Sequence, residues 1–294
     1  MPNTSRSTLL AVCLAIVYVV WGSTYLAIHF VVDGIPPLIS SAMRNFCAGP
    51  LLLAFLKWRG AAWPTPRQWR NGALIGFMMM GLGNGFVCLG ETRVPSGLAS
   101  LVVAGVPLFA MLFAWGLFGA RPRMLEWLGV GLGLVGMALL NLDLHAVANP
   151  GAIAILFIAA ASWAAATVLQ PRLDLPKGPM SAAVQMLGGA ASLVVMSTLR
   201  GERFVASAVP LSSWLALAYL VVFGSLVAYT AFVYVIGHSR PALATSYAYV
   251  NPVVAVGLGA LFAGEAISGP IVAGMAVILA GVGLVMMGGA RRTG

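Results

Sequence analysis

Ten long apolar blocks constrain this chain more than any other feature: residues 8–30, 36–56, 71–90, 95–120, 127–142, 151–170, 180–199, 212–237, 241–264 and 266–290. Together they hold 221 of the 294 residues and a single charged side chain, Arg44. A helix needs roughly 20 mostly apolar residues to cross the hydrocarbon core, and a charge at mid-bilayer is costly. Such segregation predicts an all-α, polytopic membrane protein with ten transmembrane helices. A β-barrel would need short alternating strands, and these blocks are too long and too uniformly apolar. Charged residues make up 8% of the chain, against about a quarter in a soluble domain, which excludes a soluble enzyme, a secreted domain and a disordered chain.

The first block is longer than a signal-peptide core and carries Trp21, Tyr25 and Leu26 where a small-residue cleavage site would be needed, so it reads as a retained span. Cys13, Cys47 and Cys88 all fall inside blocks, which implies buried thiols without a disulfide framework or metal-ligand spacing. No metal and no cofactor is expected.

The excess of basic residues has a topological meaning. With the N-terminus in the cytoplasm, 12 of the 16 Lys and Arg flank spans on the inner side, against Arg93, Arg200 and Arg203 outside. The positive-inside rule then places both termini in the cytoplasm of a bacterial inner membrane. These bases are short flanking pairs spread over six segments, so anionic lipid headgroups and not nucleic acid are the expected counter-charge.

A shift of 145 residues superposes the two halves. Leu98-Ala99-Ser100 meets Leu243-Ala244-Thr245, Val106-Pro107 meets Asn251-Pro252, and Gly119, Gly129 and Gly136 meet Gly264, Gly274 and Gly281. The repeats are assigned to residues 1–147 and 148–294. Five spans is an odd number, so the second repeat enters the membrane in the opposite sense: two inverted five-helix repeats, the organisation of secondary transporters with a midplane substrate site.

Several side chains are costly to bury without a role. Pro252 cannot donate to the carbonyl of Ala248, nor Pro107 to that of Val103, so each either bends a helix for packing or opens a polar site at a helix break that gates. Tyr247 and Asn251 lie four residues apart on one helix face, beside Ser246. Asn84 stands between Gly83 and Gly85, and its shifted counterpart is Tyr229. Trp21 and Trp163 lie more than ten residues into their blocks, too deep for the interfacial belt, and suggest an aromatic wall for substrate side chains. Trp58, Trp63, Trp69, Trp127 and Trp214 sit at span ends as belt residues. Arg44 offers a partner for a substrate carboxylate, but only about eight residues into its span it is expected to snorkel to the outer surface. No Asp or Glu lies mid-span, which predicts transport that is uncoupled or only weakly proton-dependent.

Two five-span repeats, mid-helix Pro107 and Pro252, and Gly264-Glu265 followed by a Gly-spaced closing helix resemble the drug/metabolite transporter superfamily, and within it the EamA-type members. The resemblance covers residues 8 to 290 and is strongest over 94–142 and 239–288. Its length and Trp-bearing first and sixth spans look most like the bacterial exporters of aromatic and other amino acids. It departs at Gly119-Ala120, where the family has Gly-Glu, so that carboxylate has a counterpart only at Glu265. The resemblance implies a monomeric secondary exporter of neutral amino acids or similar small metabolites, with the fourth and ninth spans lining a central cavity. A multidrug or cation exporter is the alternative within transport, and it would want an acidic cavity residue. A structural protein or a lipid-embedded enzyme is the alternative outside it, but the loops are too short to carry clustered catalytic groups.

Overall fold

The structure is a computed structural model that describes residues 3–121, 123–144, 150–239, 247–264 and 267–290. Among these residues every regular element is helical. We number the helices α1 (Asn3–Val32), α2 (Pro37–Trp58), α3 (Pro66–Glu91), α4 (Ser96–Phe118), α5 (Met124–Leu144), α6 (Pro150–Arg172), α7 (Pro179–Arg200), α8 (Leu211–His238), α9 (Tyr247–Phe262) and α10 (Gly269–Ala290). Seven of them, α1–α4 and α6–α8, are long and apolar enough over their described residues to cross a membrane. In α9 and α10 the corresponding described stretches, Val250–Phe262 and Gly269–Gly281, are apolar but shorter. Ser246 and Glu265, singled out in the sequence, lie outside the described residues.

Local sequence sets the helix ends. Pro36 and Pro37 open α2, where the missing N–H of proline costs nothing in the first turn. Thr65 and Gln68 form a capping box at the start of α3, each side chain bonded to the other's backbone N–H, and Gln68 also reaches Asp174 in the α6–α7 loop. Gly119 ends α4 with φ +65°, and its counterpart Gly264 follows α9 with φ +66°, a left-handed conformation that an L side chain would resist.

Glu202, in the α7–α8 loop, terminates a different helix. Its carboxylate accepts from the backbone N–H groups of Leu38 (3.2 Å) and Ile39 (3.0 Å) in the first turn of α2, and from the Ser197 hydroxyl at 3.1 Å. An anion at a helix N-terminus satisfies orphan donors and opposes the helix dipole. Glu202→Ala should therefore cost roughly 1–2 kcal/mol of stability, read as a lower melting temperature in detergent. An unchanged melting temperature would show that this cap is not formed.

The packing pairs are α1 with α9 and α8, α6 with α4 and α3, α2 with α7 and α8, α3 with α7, and α5 with α10. Each of these pairs has a counterpart when helix n is exchanged with helix n+5, whereas the contacts of α4 with α1 and with α10 have none of similar extent among the described residues. Backbones approach closely where small residues meet. A Cβ on Gly281 would lie 2.6 Å from the Gly129 carbonyl oxygen, and one on Gly136 2.9 Å from the Ile278 nitrogen, so α5 and α10 cross backbone against backbone.

Two features depart from the expected spans. The helix of the third block continues through Glu91, whose side chain is 3% exposed, where the sequence suggested that the span ends one residue earlier. The two prolines behave differently. α4 is interrupted at Ala104–Gly105, just ahead of Pro107, whereas α9 runs on through Pro252.

Candidate functional site

Two of the long helices contain a π-helical segment, Phe77–Asn84 in α3 and Leu220–Val227 in α8, at corresponding places in the two halves. Such wide turns are rare and concentrate at functional sites. Both border one cavity enclosed by α1, α2, α3, α4, α6, α8 and α9, with about 650 Å³ of space not filled by protein atoms, its opening included.

Seven of the eight substrate-site residues read from the sequence line this cavity: Trp21, Arg44, Asn84, Trp163, Tyr229, Tyr247 and Asn251. The eighth, Ser246, is outside the described residues. Neither Pro107 nor Pro252 lines it, although Val103, whose carbonyl Pro107 leaves without its helical donor, does.

One wall is aromatic. The Trp21 ring meets Trp163 edge to face at 5.6 Å and Tyr247 at 5.1 Å, and packs on Phe232 at 4.6 Å; Tyr229 closes the group, 6.5 Å from Trp163. The Trp21 indole N–H donates to the Gly224 carbonyl at 3.3 Å, which fixes that ring against the π segment of α8. The Trp163 indole N–H is buried without a hydrogen-bond partner among the described residues. Gly83 makes room for that ring, since a Cβ there would sit 2.8 Å from Trp163 Cε3.

The polar lining is held from behind. The Tyr229 hydroxyl donates to Gln185 Oε1, and Gln185 Nε2 donates to Ser181 Oγ at 2.8 Å. The Asn251 amide, oriented with its nitrogen toward carbonyls, donates to Tyr18 and Tyr247, both at 3.2 Å. Asn84 Nδ2 lies 3.3 Å from Met80 Sδ, a weak acceptor, which leaves that amide available to a ligand. Thr24 donates to the Trp21 carbonyl at 2.7 Å.

Arg44 does not snorkel. It is 5% exposed and turns inward, donating from Nε to Ser225 Oγ at 2.7 Å. Its guanidinium lies over Gly224, where an added Cβ would come within 3.0 Å of Nη2. The hydroxyl across the cavity and the absent side chain at 224 make the inward rotamer possible, and depth along α2 alone could not reveal either. Among the described lining residues none is acidic. The sequence reading missed Thr24, Tyr25, Ser225 and the supporting Gln185. Two of these carried a signal: Thr24 follows Trp21 by three residues on one face, and Gln185 is an isolated amide inside an apolar span.

A helical bundle with membrane-spanning segments around a mostly apolar cavity with a few converging polar groups is the architecture of a membrane transporter. The EamA-like transporter family matches residues 9–142 and again residues 150–287, so this chain belongs to that family. It is 44% identical over 273 residues to the Uncharacterized inner membrane transporter YedA of Escherichia coli K12, covering 92% of this chain and 88% of that protein. It is 26% identical to the Uncharacterized transporter sll0355 of Synechocystis, over 91% of this chain and 87% of that one. Protein PecM of Dickeya dadantii is 24% identical, with 88% and 86% covered. A crystal structure of a protein 23% identical superposes over 99% of both chains with a TM-score of 0.67, a likeness of fold.

Proposed function

We propose that this chain is an inner-membrane secondary transporter that exports amino acids, aromatic and other neutral ones, or similar small metabolites. It works by alternating access between two inverted five-span repeats, with both termini cytoplasmic and as a monomer. The carrying observation is the convergence of Trp21, Trp163, Tyr229, Tyr247, Asn84, Asn251 and Arg44, from both halves of the chain, on one cavity. The twofold exchange of helix pairs, the corresponding π segments and the family's separate match to each half support the inverted repeat. Trp21 and Trp163 supply the wall for an apolar body, and Asn84, Asn251 and Arg44 the polar contacts. Pro107 and Pro252 mark where the fourth and ninth helices yield as the cavity changes sides. Transport is uncoupled or weakly proton-dependent, because the cavity lining carries no carboxylate among its described residues. That same lack disfavours a multidrug or cation exporter.

Counterflow of radiolabelled neutral amino acids in proteoliposomes tests the reading. At least one aromatic amino acid should exchange, and Asn251→Ala should slow it at least tenfold. A panel in which no amino acid exchanges, or exchange that is untouched by Asn251→Ala, would overturn the assignment.

A further inference from the structure

The charge inventory of the cavity carries the function a step further. Its described lining contains one formal positive charge, Arg44, and no negative one, and among the described residues no carboxylate pairs with that guanidinium. A buried, unpaired cation is costly in a low-dielectric site, and the deficit is relieved by whatever anion enters. The donors around it converge. Ser225 Oγ already accepts from Arg44 Nε, so the hydroxyl hydrogen is free to donate, and the guanidinium terminus lies over Gly224 with no side chain between. A guanidinium fork beside a hydroxyl is the arrangement that holds a carboxylate by charge-assisted hydrogen bonds.

The requirements of an ammonium group are not met in the same way. An ammonium would find only neutral acceptors, such as the Asn84 amide oxygen, and no carboxylate among the described lining residues. The aromatic wall of Trp21, Trp163 and Tyr247 supplies an apolar surface on the other side.

From this we infer that the cavity selects organic monoanions, namely carboxylates with an aromatic body and no need of an α-amino group, with Arg44 and Ser225 as their anion pole. The inference rests on the proposed transport reading and narrows its cargo, within the small metabolites named there, to those that carry a net negative charge. It also supplies a driving force. A membrane potential of 100 mV, negative inside, sustains an outward gradient of about 50-fold for a monoanion, so export needs no coupled ion. The missing mid-span carboxylate is then a consequence of the cargo's charge.

Three compounds that share a phenylethyl body test this: 3-phenylpropionate (−1), phenylalanine (0) and phenethylamine (+1). Proteoliposomes adsorbed on a solid-supported membrane record the charge that each carries; leak of the undissociated acid is electrically silent. 3-Phenylpropionate should give a saturable negative inward current, phenethylamine none, and phenylalanine none while competing more weakly. Arg44→Gln should reduce the current at least tenfold and Arg44→Lys should restore part of it. Tryptophan fluorescence of the detergent-solubilised protein separates charge recognition from misfolding. In Arg44→Gln, 3-phenylpropionate should bind at least tenfold more weakly, while the uncharged 3-phenylpropanamide should bind as it does to wild type. Phenylalanine exchange without a 3-phenylpropionate current, or anion affinity indifferent to Arg44→Gln, overturns the inference and leaves the exporter reading standing. Silence from all of these compounds in every assay overturns both.

Discussion

Gly76→Ala should leave little monodisperse protein after extraction from the membrane, and Gly76→Leu none. Gly76 stands where α3 presses on α7. A Cβ there would lie 2.1 Å from the backbone oxygen of Gln185 and 2.8 Å from the nitrogen of Gly189. Both obstacles are backbone, so no rotamer change relieves them and the helices must part. The same seam has Gly72 against Val184 and Gly188 against Ala73, which leaves no neighbouring slack. Overpacking of a tight core costs typically 1–3 kcal/mol, and a clash with helical backbone belongs at the upper end, about 3 kcal/mol. The damage reaches the cavity, because Gln185 holds the Tyr229 hydroxyl. Gly116→Ala is the matched control, since nothing lies within 4 Å of a Cβ at that position. Size-exclusion profiles and melting temperatures of the two alanine variants decide the matter. A Gly76→Ala protein that melts like Gly116→Ala would disprove the close approach of α3 and α7.

How far these arrangements were legible beforehand follows from what each one depends on. The apolar blocks, and the seven lining residues read from the sequence, are properties of single segments, since burial of a Trp, Tyr or Asn deep in an apolar run can be judged from its own helix. Arg44 is a different case. Its depth along α2 suggested a route to the outer surface, but its direction is set by Ser225 and by the empty space at Gly224, 180 residues away in the chain. Glu91 likewise looked like a loop residue because the apolar run stops at Gly90, while helix geometry carries on one residue further. The π segments had no readable signature: Gly81, Gly83 and Gly224-Ser225 permit a wide turn without requiring it. They are packed by side chains from α1, α2, α6 and α7, and those contacts exist only in the assembled bundle.

Trp163→Ala should weaken binding of aromatic solutes about 30-fold and leave the fold nearly unchanged. The helix that carries Trp163 is seated by small residues: Ala159, Ala160, Ala164 and Ala166 are all buried, and they set the approach of α6 to its neighbours. The indole projects instead toward the cavity, against Gly83 and the edge of Trp21. Trp21 does not depend on it, being held by Phe232 at 4.6 Å and by its hydrogen bond to Gly224. Truncation therefore removes one face of the wall without releasing the other. Loss of an aromatic anchor in a desolvated pocket costs at least about 2 kcal/mol, which corresponds to the 30-fold change. Trp163→Phe keeps a ring there and should lose less than fivefold, since offset and edge contacts between rings survive the substitution. A solute with a methyl side chain, such as alanine, never reaches the wall and should lose less than threefold in the same variant. Affinities measured by competition in proteoliposomes provide the comparison, with melting temperature as the check on folding. Equal losses for large and small solutes would mean that Trp163 holds the bundle together, and no loss for either would remove it from the binding site.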